Sequence, residues 1–293
     1  LRYAAIDIGS NAVRLLIADI NESRKPASFK KNTLIRVPLR LGDDAFLNHH
    51  ISDRKAVDLV KTMQAFKNLM DVYRVTAYRA CATSAMREAK NGADIVRTIK
   101  NQTDIDLEIV SGQAEAQIIY SSRMEEYVDK DKSYLYIDVG GGSTELSLFN
   151  NGELLASKSF NLGTIRILDH QDTEETWDSM KDFIRLHARH FKNLSGIGTG
   201  GNINKLFKLS GEKENVALSF NKLKNLYNYL NSFSLKDRIN ILNLNQDRAD
   251  VIIPACEIYL SVMKWAGIKK IFVPSVGMVD GIIQTLIETK IIS

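Results

Sequence analysis

At 293 residues, 44% apolar and 25% charged, the chain is long enough to bury two medium-sized cores. Thirty-nine Lys and Arg against 35 Asp and Glu leave a net charge of +4, too little to make a general polyanion binder from bulk charge. Cys81 and Cys256 are far apart and form no CxxC, which excludes a disulfide framework and a cysteine zinc site; with no long apolar run and no leader pattern, the expected setting is reducing and cytoplasmic.

Tyr3 to Ile8 and Val13 to Ile20 predict a β-hairpin, with Gly9, Ser10 and Asn11 supplying a turn that tolerates unusual dihedrals. A polar turn around Pro26 leads to a strand from Thr33 to Leu41, interrupted at Pro38 and carrying Arg36 and Arg40. Ser52 is placed to cap a helix whose Leu59, Met63, Phe66 and Met70 follow the spacing of one buried face. Strands at 75–81 and 107–110 then alternate with helices starting near Ser84 and Asp94. Ser111 and Gly112 turn into a helix, Gln113 to Glu125, with Glu115 in its first turn. The charged stretch from Glu125 to Lys132 marks the expected boundary between domains at 1–125 and 126–277.

The second half repeats the opening. Residues 5–17 lie over 136–148 without a gap, placing Asp7 on Asp138, Gly9 on Gly140 and Arg14 on Glu145, as an internal duplication would. A strand at 152–160 follows, then a helix from Thr173 to Phe191 with acids at its start and bases at its end. Gly196 to Asn202 reads as a second glycine-rich turn opening a helix at Ile203, read either as an anion site or as a plain strand-to-helix turn. Further helices span 221–231 and 247–266, a strand spans 270–274, and a last helix starts at Met278.

In Asp138-Val139-Gly140-Gly141-Gly142-Ser143-Thr144-Glu145, an acid ends one apolar run, and three glycines leave the backbone N–H groups bare before the next. One such loop reads as a phosphate loop or as a tight hairpin; two copies favour phosphate, with Asp7 and Asp138 placed to share a hydrated Mg²⁺ with phosphate oxygens. Taken alone, Glu115 is a helix first-turn acid, and Arg14 and Arg87 are ordinary surface charges. Arg36, Arg40, Arg185, Arg189, Lys192, Lys205 and Lys208 read as solvated faces. His187 and His190 lack further ligands for a metal, and Trp177 and Trp265 form no stacking platform.

Five blocks carry a resemblance: Asp7 to Asn11 with Arg14, Ala82 to Arg87 with Asn91, Ser111-Gly112 with Glu115-Ala116, Asp138 to Glu145, and Arg248-Ala249-Asp250. In this order they resemble the exopolyphosphatase and guanosine pentaphosphate phosphohydrolase family. The resemblance implies an α/β protein of two ribonuclease H-like, actin-type domains with the active site in the cleft between them, the last helix, about 278–293, returning to the first domain. It implies Mg²⁺ or another divalent cation and removal of terminal phosphate from inorganic polyphosphate or guanosine pentaphosphate.

Carried over, Glu115 is the general base; Asp138 and Glu145 are catalytic and, with Asp7, hold the metal. Phosphate falls to Gly9, Ser10, Asn11, Arg14, Arg87, Gly140, Gly141, Gly142 and Ser143. Gln113-Ala114, Gln117 and Ala12 depart from common family residues but touch none of these roles, and Gly200-Gly201-Asn202 replaces a frequent Gly-Thr pair. Larger relatives add a helical C-terminal part, so an end at Ser293 makes short polyphosphate or the pentaphosphate nucleotide the expected substrate. The expected partner is that small anion, with no nucleic acid or membrane and a homodimer left open. The alternatives are a kinase of the same fold or a guanosine tetra- or pentaphosphate-binding regulator with little turnover.

Overall fold

The computed structural model describes residues 1–23, 27–121, 132–213, 215–274 and 276–292. The chain forms two compact units, Leu1–Arg123 with Gly277–Ser293, and Met124–Val276. The expected boundary stretch from Glu125 and the turn at Pro26 fall almost wholly outside the described residues.

In the first unit, β1 (Arg2–Ile8) and β2 (Val13–Asn21) are two β-branched, apolar runs closed antiparallel around residues 9–12. β3 (Ser28–Val37) pairs with β2 and stops before Pro38, which has no N–H to continue a ladder. α1 (Leu41–Asn48), α2 (Asp53–Val72), β4 (Ala77–Ala82), α3 (Ser84–Glu88), α4 (Gly92–Thr103), β5 (Leu107–Ile109) and α5 (Gly112–Tyr120) follow. β4 joins β1 and β5 joins β4 in parallel, giving the order β3-β2-β1-β4-β5. Ser52 precedes α2, but its hydroxyl donates to Asp44 in the first turn of α1 instead of capping the helix. Arg40 also leaves its expected strand: it takes the left-handed conformation, φ 50°, as the residue before α1, and its guanidinium forks onto Asp43 at 3.0 and 3.1 Å.

The second unit contains β6 (Ser133–Val139), β7 (Thr144–Asn150), β8 (Glu153–Phe160), α6 (Thr164–Leu168), α7 (Glu174–His187), β9 (Ser195–Thr199) and α8 (Gly201–Ser210). Then come β10 (Leu218–Ser219), α9 (Phe220–Asn231), α10 (Leu235–Asn240), α11 (Gln246–Ala249), α12 (Ile252–Ala266) and β11 (Lys270–Phe272), before α13 (Met278–Ile292) returns to the first unit. Its sheet runs β10-β11-β9-β6-β7-β8. Read from the third strand, both sheets share one plan: a three-stranded meander, then parallel strands fed by helices. This is the expected α/β class, with two units of ribonuclease H-like topology.

Three further expectations need correcting. Ser195 to Thr199 is a fully buried strand, not a turn; Gly196 and Gly198 share one face, where a Cβ would stand 3.1 and 2.9 Å from Ile271. The turn is confined to Gly200, φ 93°. The helix expected at 247–266 is two helices, with Pro254 in the first turn of α12, where its missing N–H costs nothing. α7 ends at His187, so Arg189 and Lys192 lie beyond it and share no helix face with Arg185.

Each unit has its own core. In the first, Tyr3, Ala5, Leu16, Ala18 and Cys81 on one sheet face meet Ile118 and Ile119 of α5 and Met278, Val279, Ile282 and Ile283 of α13. In the second, Leu135, Ile137, Val139, Leu146 and Leu148 pack with Met180 and Ile184 of α7, Leu223 of α9 and Ile258 and Val262 of α12. Each fully buried aliphatic side chain contributes about 1.5–3 kcal/mol, which holds the strand ends where the chemistry sits.

Candidate active site

Parallel strands present ligand-binding groups at their carboxyl ends. In the first unit β1, β4 and β5 end side by side: Thr83 N–H donates to Ile8 O at 3.1 Å and Val110 N–H to Ala82 O at 2.9 Å. From these ends leave the loop Gly9–Ala12, the helix α3 with Ser84 and Arg87, and the helix α5 with Glu115. In the second unit β6 and β9 end together, placing the loop Gly140–Ser143 beside Gly200.

Alternation fixes which side chains share a face. Asp7 lies opposite Arg14, and Arg14 opposite Arg36, so the three form one row across β1, β2 and β3. Arg14 Nη1 donates to Asp7 Oδ2 at 2.6 Å. Asp7 is 2% exposed; burial pushes its carboxyl up, and the Arg14 guanidinium opposes that shift. The corresponding row of the second unit is Thr199, Asp138, Glu145 and Ser159. Ser159 Oγ donates to Glu145 Oε1 at 2.8 Å, and Glu145 is 4% exposed. A Cβ on Gly200 would come within 2.6 Å of Asp138 Oδ1, so the glycine lets that carboxylate lie against the turn.

Neither hairpin loop uses a left-handed residue: 9–12 and 140–143 are absent from the positive-φ positions, contrary to expectation. The glycines serve close approach instead. Gly9 N–H donates to Ala12 O at 3.1 Å and Gly140 N–H to Ser143 O at 2.9 Å, and a Cβ at either glycine would crowd that acceptor carbonyl. Other loop carbonyls are occupied from within the same unit. Ser10 O and Asn11 O accept from Gly42 N–H at 2.9 Å and Arg40 N–H at 3.0 Å; Gly140 O and Gly141 O accept from Thr164 N–H at 3.0 Å and Ile165 N–H at 2.8 Å. Ser10 Oγ also shares a hydrogen bond of 2.7 Å with buried Ser84 Oγ.

Glu115 sits in the first turn of α5, whose Ser111 cap accepts from Ala114 N–H at 3.2 Å. Its carboxylate is 12% exposed, and its Oε2 is 4.0 Å from Arg87 Nη1, which itself donates to Val110 O at 2.6 Å. The structure therefore brings together Asp7 with Arg14, Arg87 with Glu115, and Asp138 with Glu145 by strand pairing. Arg36, expected on a solvated face, belongs in the first of these rows. Arg248, which carries no site role in the sequence reading, lies across Gly201, where a Cβ would meet its Nη2 at 2.6 Å, and donates to Asn202 Oδ1 at 3.2 Å.

Two adjacent carboxylates, Asp138 and Glu145, are hard oxygen donors of the kind that suit Mg²⁺. Asp7, the third carboxylate expected to serve the cation, is paired with Arg14 in its own unit. Among the described residues there is no cluster of three or more His, Cys, Asp or Glu side chains that could hold a metal ion. No described helix is long and apolar enough to cross a membrane. Both cysteines are free and buried, and burial pushes both thiols up, which makes them inert.

A profile of the Ppx/GppA phosphatase family matches residues 22–290. A bifunctional 3-dehydroquinate synthase/phosphatase of Fusobacterium nucleatum is 26% identical over 98% of this chain, and the chain spans 47% of that protein's length. Exopolyphosphatase 1 of Mycobacterium bovis is 22% identical over 99% of this chain and 89% of its own. The crystal structure of an exopolyphosphatase from Cytophaga hutchinsonii superposes with a TM-score of 0.85 over 99% of this chain and 98% of its own, at 23% identity, which speaks to the fold.

Proposed function

The chain belongs to the Ppx/GppA phosphatase family, and on that premise we propose that it hydrolyses the terminal phosphoanhydride bond of inorganic polyphosphate or guanosine pentaphosphate. The observation that carries this reading is the pair of equivalent hairpin loops, each with its carbonyls turned into the protein and each led by a carboxylate. Phosphoryl transfer needs mainly an aligned nucleophile and stabilisation of charge on three equatorial oxygens. Backbone N–H groups of Gly9–Asn11 and Gly140–Ser143 supply such donors.

Arg14 is held by Asp7 through one nitrogen, and its side chain is 27% exposed, which leaves the rest of the fork for phosphate oxygens. Arg87 lends positive charge beside Glu115, where charge builds on the phosphoryl oxygens. Glu115 takes a proton from water as its oxygen attacks the terminal phosphorus in line. The bridging P–O bond breaks, and a shortened polyphosphate or a nucleoside tetraphosphate leaves with the electron pair. A divalent cation held by Asp138 and Glu145 would neutralise phosphate charge when bound.

The test is release of inorganic phosphate from tripolyphosphate and from guanosine pentaphosphate by wild type and Glu115→Gln. The expected result is a loss of about 10²-fold or more in kcat for the variant, in the range of a lost general base. Undiminished hydrolysis would remove Glu115 from this role, and comparing kcat/KM for the two substrates separates them.

A further inference from the structure

The three glycines of the second loop have no side chains to fix their peptide planes, so something outside the loop must do it. In a trans peptide the carbonyl of one residue and the N–H of the next lie in one rigid plane and point in opposite directions. Holding the carbonyls of Gly140, Gly141 and Gly142 inward therefore turns the N–H groups of Gly141, Gly142 and Ser143 outward. Thr164 N–H takes the first at 3.0 Å and Ile165 N–H the second at 2.8 Å. The third is taken by a side chain: Arg166 Nε donates to Gly142 O at 2.7 Å.

The first unit solves the same problem differently. Ser10 and Asn11 fall on Gly141 and Gly142, and their carbonyls both accept from main-chain N–H groups, of Gly42 and Arg40. Only in the second unit does the third carbonyl rely on a guanidinium, and Arg166 is 7% exposed. The approach is close enough that Gly163 cannot carry a side chain, since a Cβ there would stand 2.3 Å from Gly141 O. A charged side chain is costly to bury for a purely local contact.

We propose that Arg166 is a positioning residue for phosphate binding: by fixing the Gly142 carbonyl it aims the Ser143 N–H, and with the first turn of α6 it aims the whole loop at the phosphoryl oxygens. This rests on the loop being a phosphate loop. The role is separable from catalysis itself, because Arg166 acts through the loop.

Arg166→Met keeps the stem and removes the donor; Arg166→Lys keeps a donor. Steady-state hydrolysis of tripolyphosphate is measured for both, with melting temperature and amide hydrogen exchange across residues 138–146. The expected result is that Arg166→Met loses about tenfold or more in kcat/KM, a fraction of the cost of deleting a donor outright. Arg166→Lys should recover most of that loss at an equal melting temperature, and exchange at 140–143 should quicken in Arg166→Met and not in Arg166→Lys. Gly163→Ala should reproduce the Arg166→Met profile. A folded Arg166→Met enzyme with kcat/KM within twofold of wild type, or equal losses in both Arg166 variants, overturns the proposal. If the wild type releases no phosphate, the functional reading fails by itself, and unchanged exchange at 140–143 in Arg166→Met then overturns the clamp independently.

Discussion

Asp7 and Arg14 show how far a residue-level reading reaches. Any hairpin that closes over residues 9–12 sets position 7 opposite position 14, and the duplication sets 138 opposite 145 by the same arithmetic. The rows were thus available from spacing, whereas Arg36 was not, because its place depends on the register of β3, which shifts at Ile17 and Ala18. The two rows carry opposite net charge, two arginines outnumbering Asp7 in one and two carboxylates standing in the other, and so should fail differently. Arg14→Ala is expected to raise KM about tenfold with a smaller change in kcat, since a phosphate ligand is lost and Asp7 is left buried without its ion-pair partner. Glu145→Gln is expected instead to raise the Mg²⁺ concentration needed for half-maximal activity, also by about tenfold. Titrating both variants with substrate and with Mg²⁺ separates the two; matching losses along both axes would count against the division of labour.

At the scale of elements, long apolar runs announced themselves and short or locally polar pieces did not. β1, β2, β6 and β7 follow from β-branched runs, and α2 from its buried face of Leu59, Met63, Phe66 and Met70. α1, with Gly42, Asp43 and Asp44 in its first turn, and the five-residue α6 carry no periodic signal, yet they hold the two loops. The strand β9 hid behind its glycines, which serve packing against Ile271 and not a turn. Two contacts between elements make strong demands. Tyr259 of α12 is fully buried and donates from its hydroxyl to Thr199 O at 2.9 Å, pinning the end of β9 beneath Asp138. Tyr259→Phe should cost about 1–3 kcal/mol by stranding that carbonyl, read from urea unfolding. Gly281 of α13 packs so tightly on α5 that a Cβ would lie 1.8 Å from Ile118 O. Gly281→Ala should cost about 1–3 kcal/mol through overpacking and, because it pushes the helix that carries Glu115, should lower kcat beyond what the stability loss explains.

For the molecule as a whole, the duplication was legible because a gapless repeat is a property of sequence alone. The terminal helix's place against the first sheet was legible only through the family pattern, since α13 is apolar without a distinctive period. Its entry is fixed by Asp280, which is 2% exposed, accepts from Gly277 N–H at 2.9 Å and meets Lys31 Nζ of β3 at 2.7 Å. Burial pushes the Asp280 carboxyl above its ordinary range, and Lys31 and the Gly277 N–H pull it back only in part. The sign follows from linkage. A folded carboxyl that holds its proton more tightly than the unfolded one adds stability that is complete below the unfolded value of about 3.9 and is lost as pH rises through the folded value. Asp280→Asn keeps an acceptor for Gly277 and removes the titration, while Lys31, 41% exposed, stays solvated. Comparing urea midpoints from pH 4 to pH 8, the stability of wild type relative to Asp280→Asn should therefore fall as pH rises. A relative stability that rose over the same range would mean that Lys31 and the helix N-terminus outweigh burial, and that the ion pair fastens the last helix by its charge.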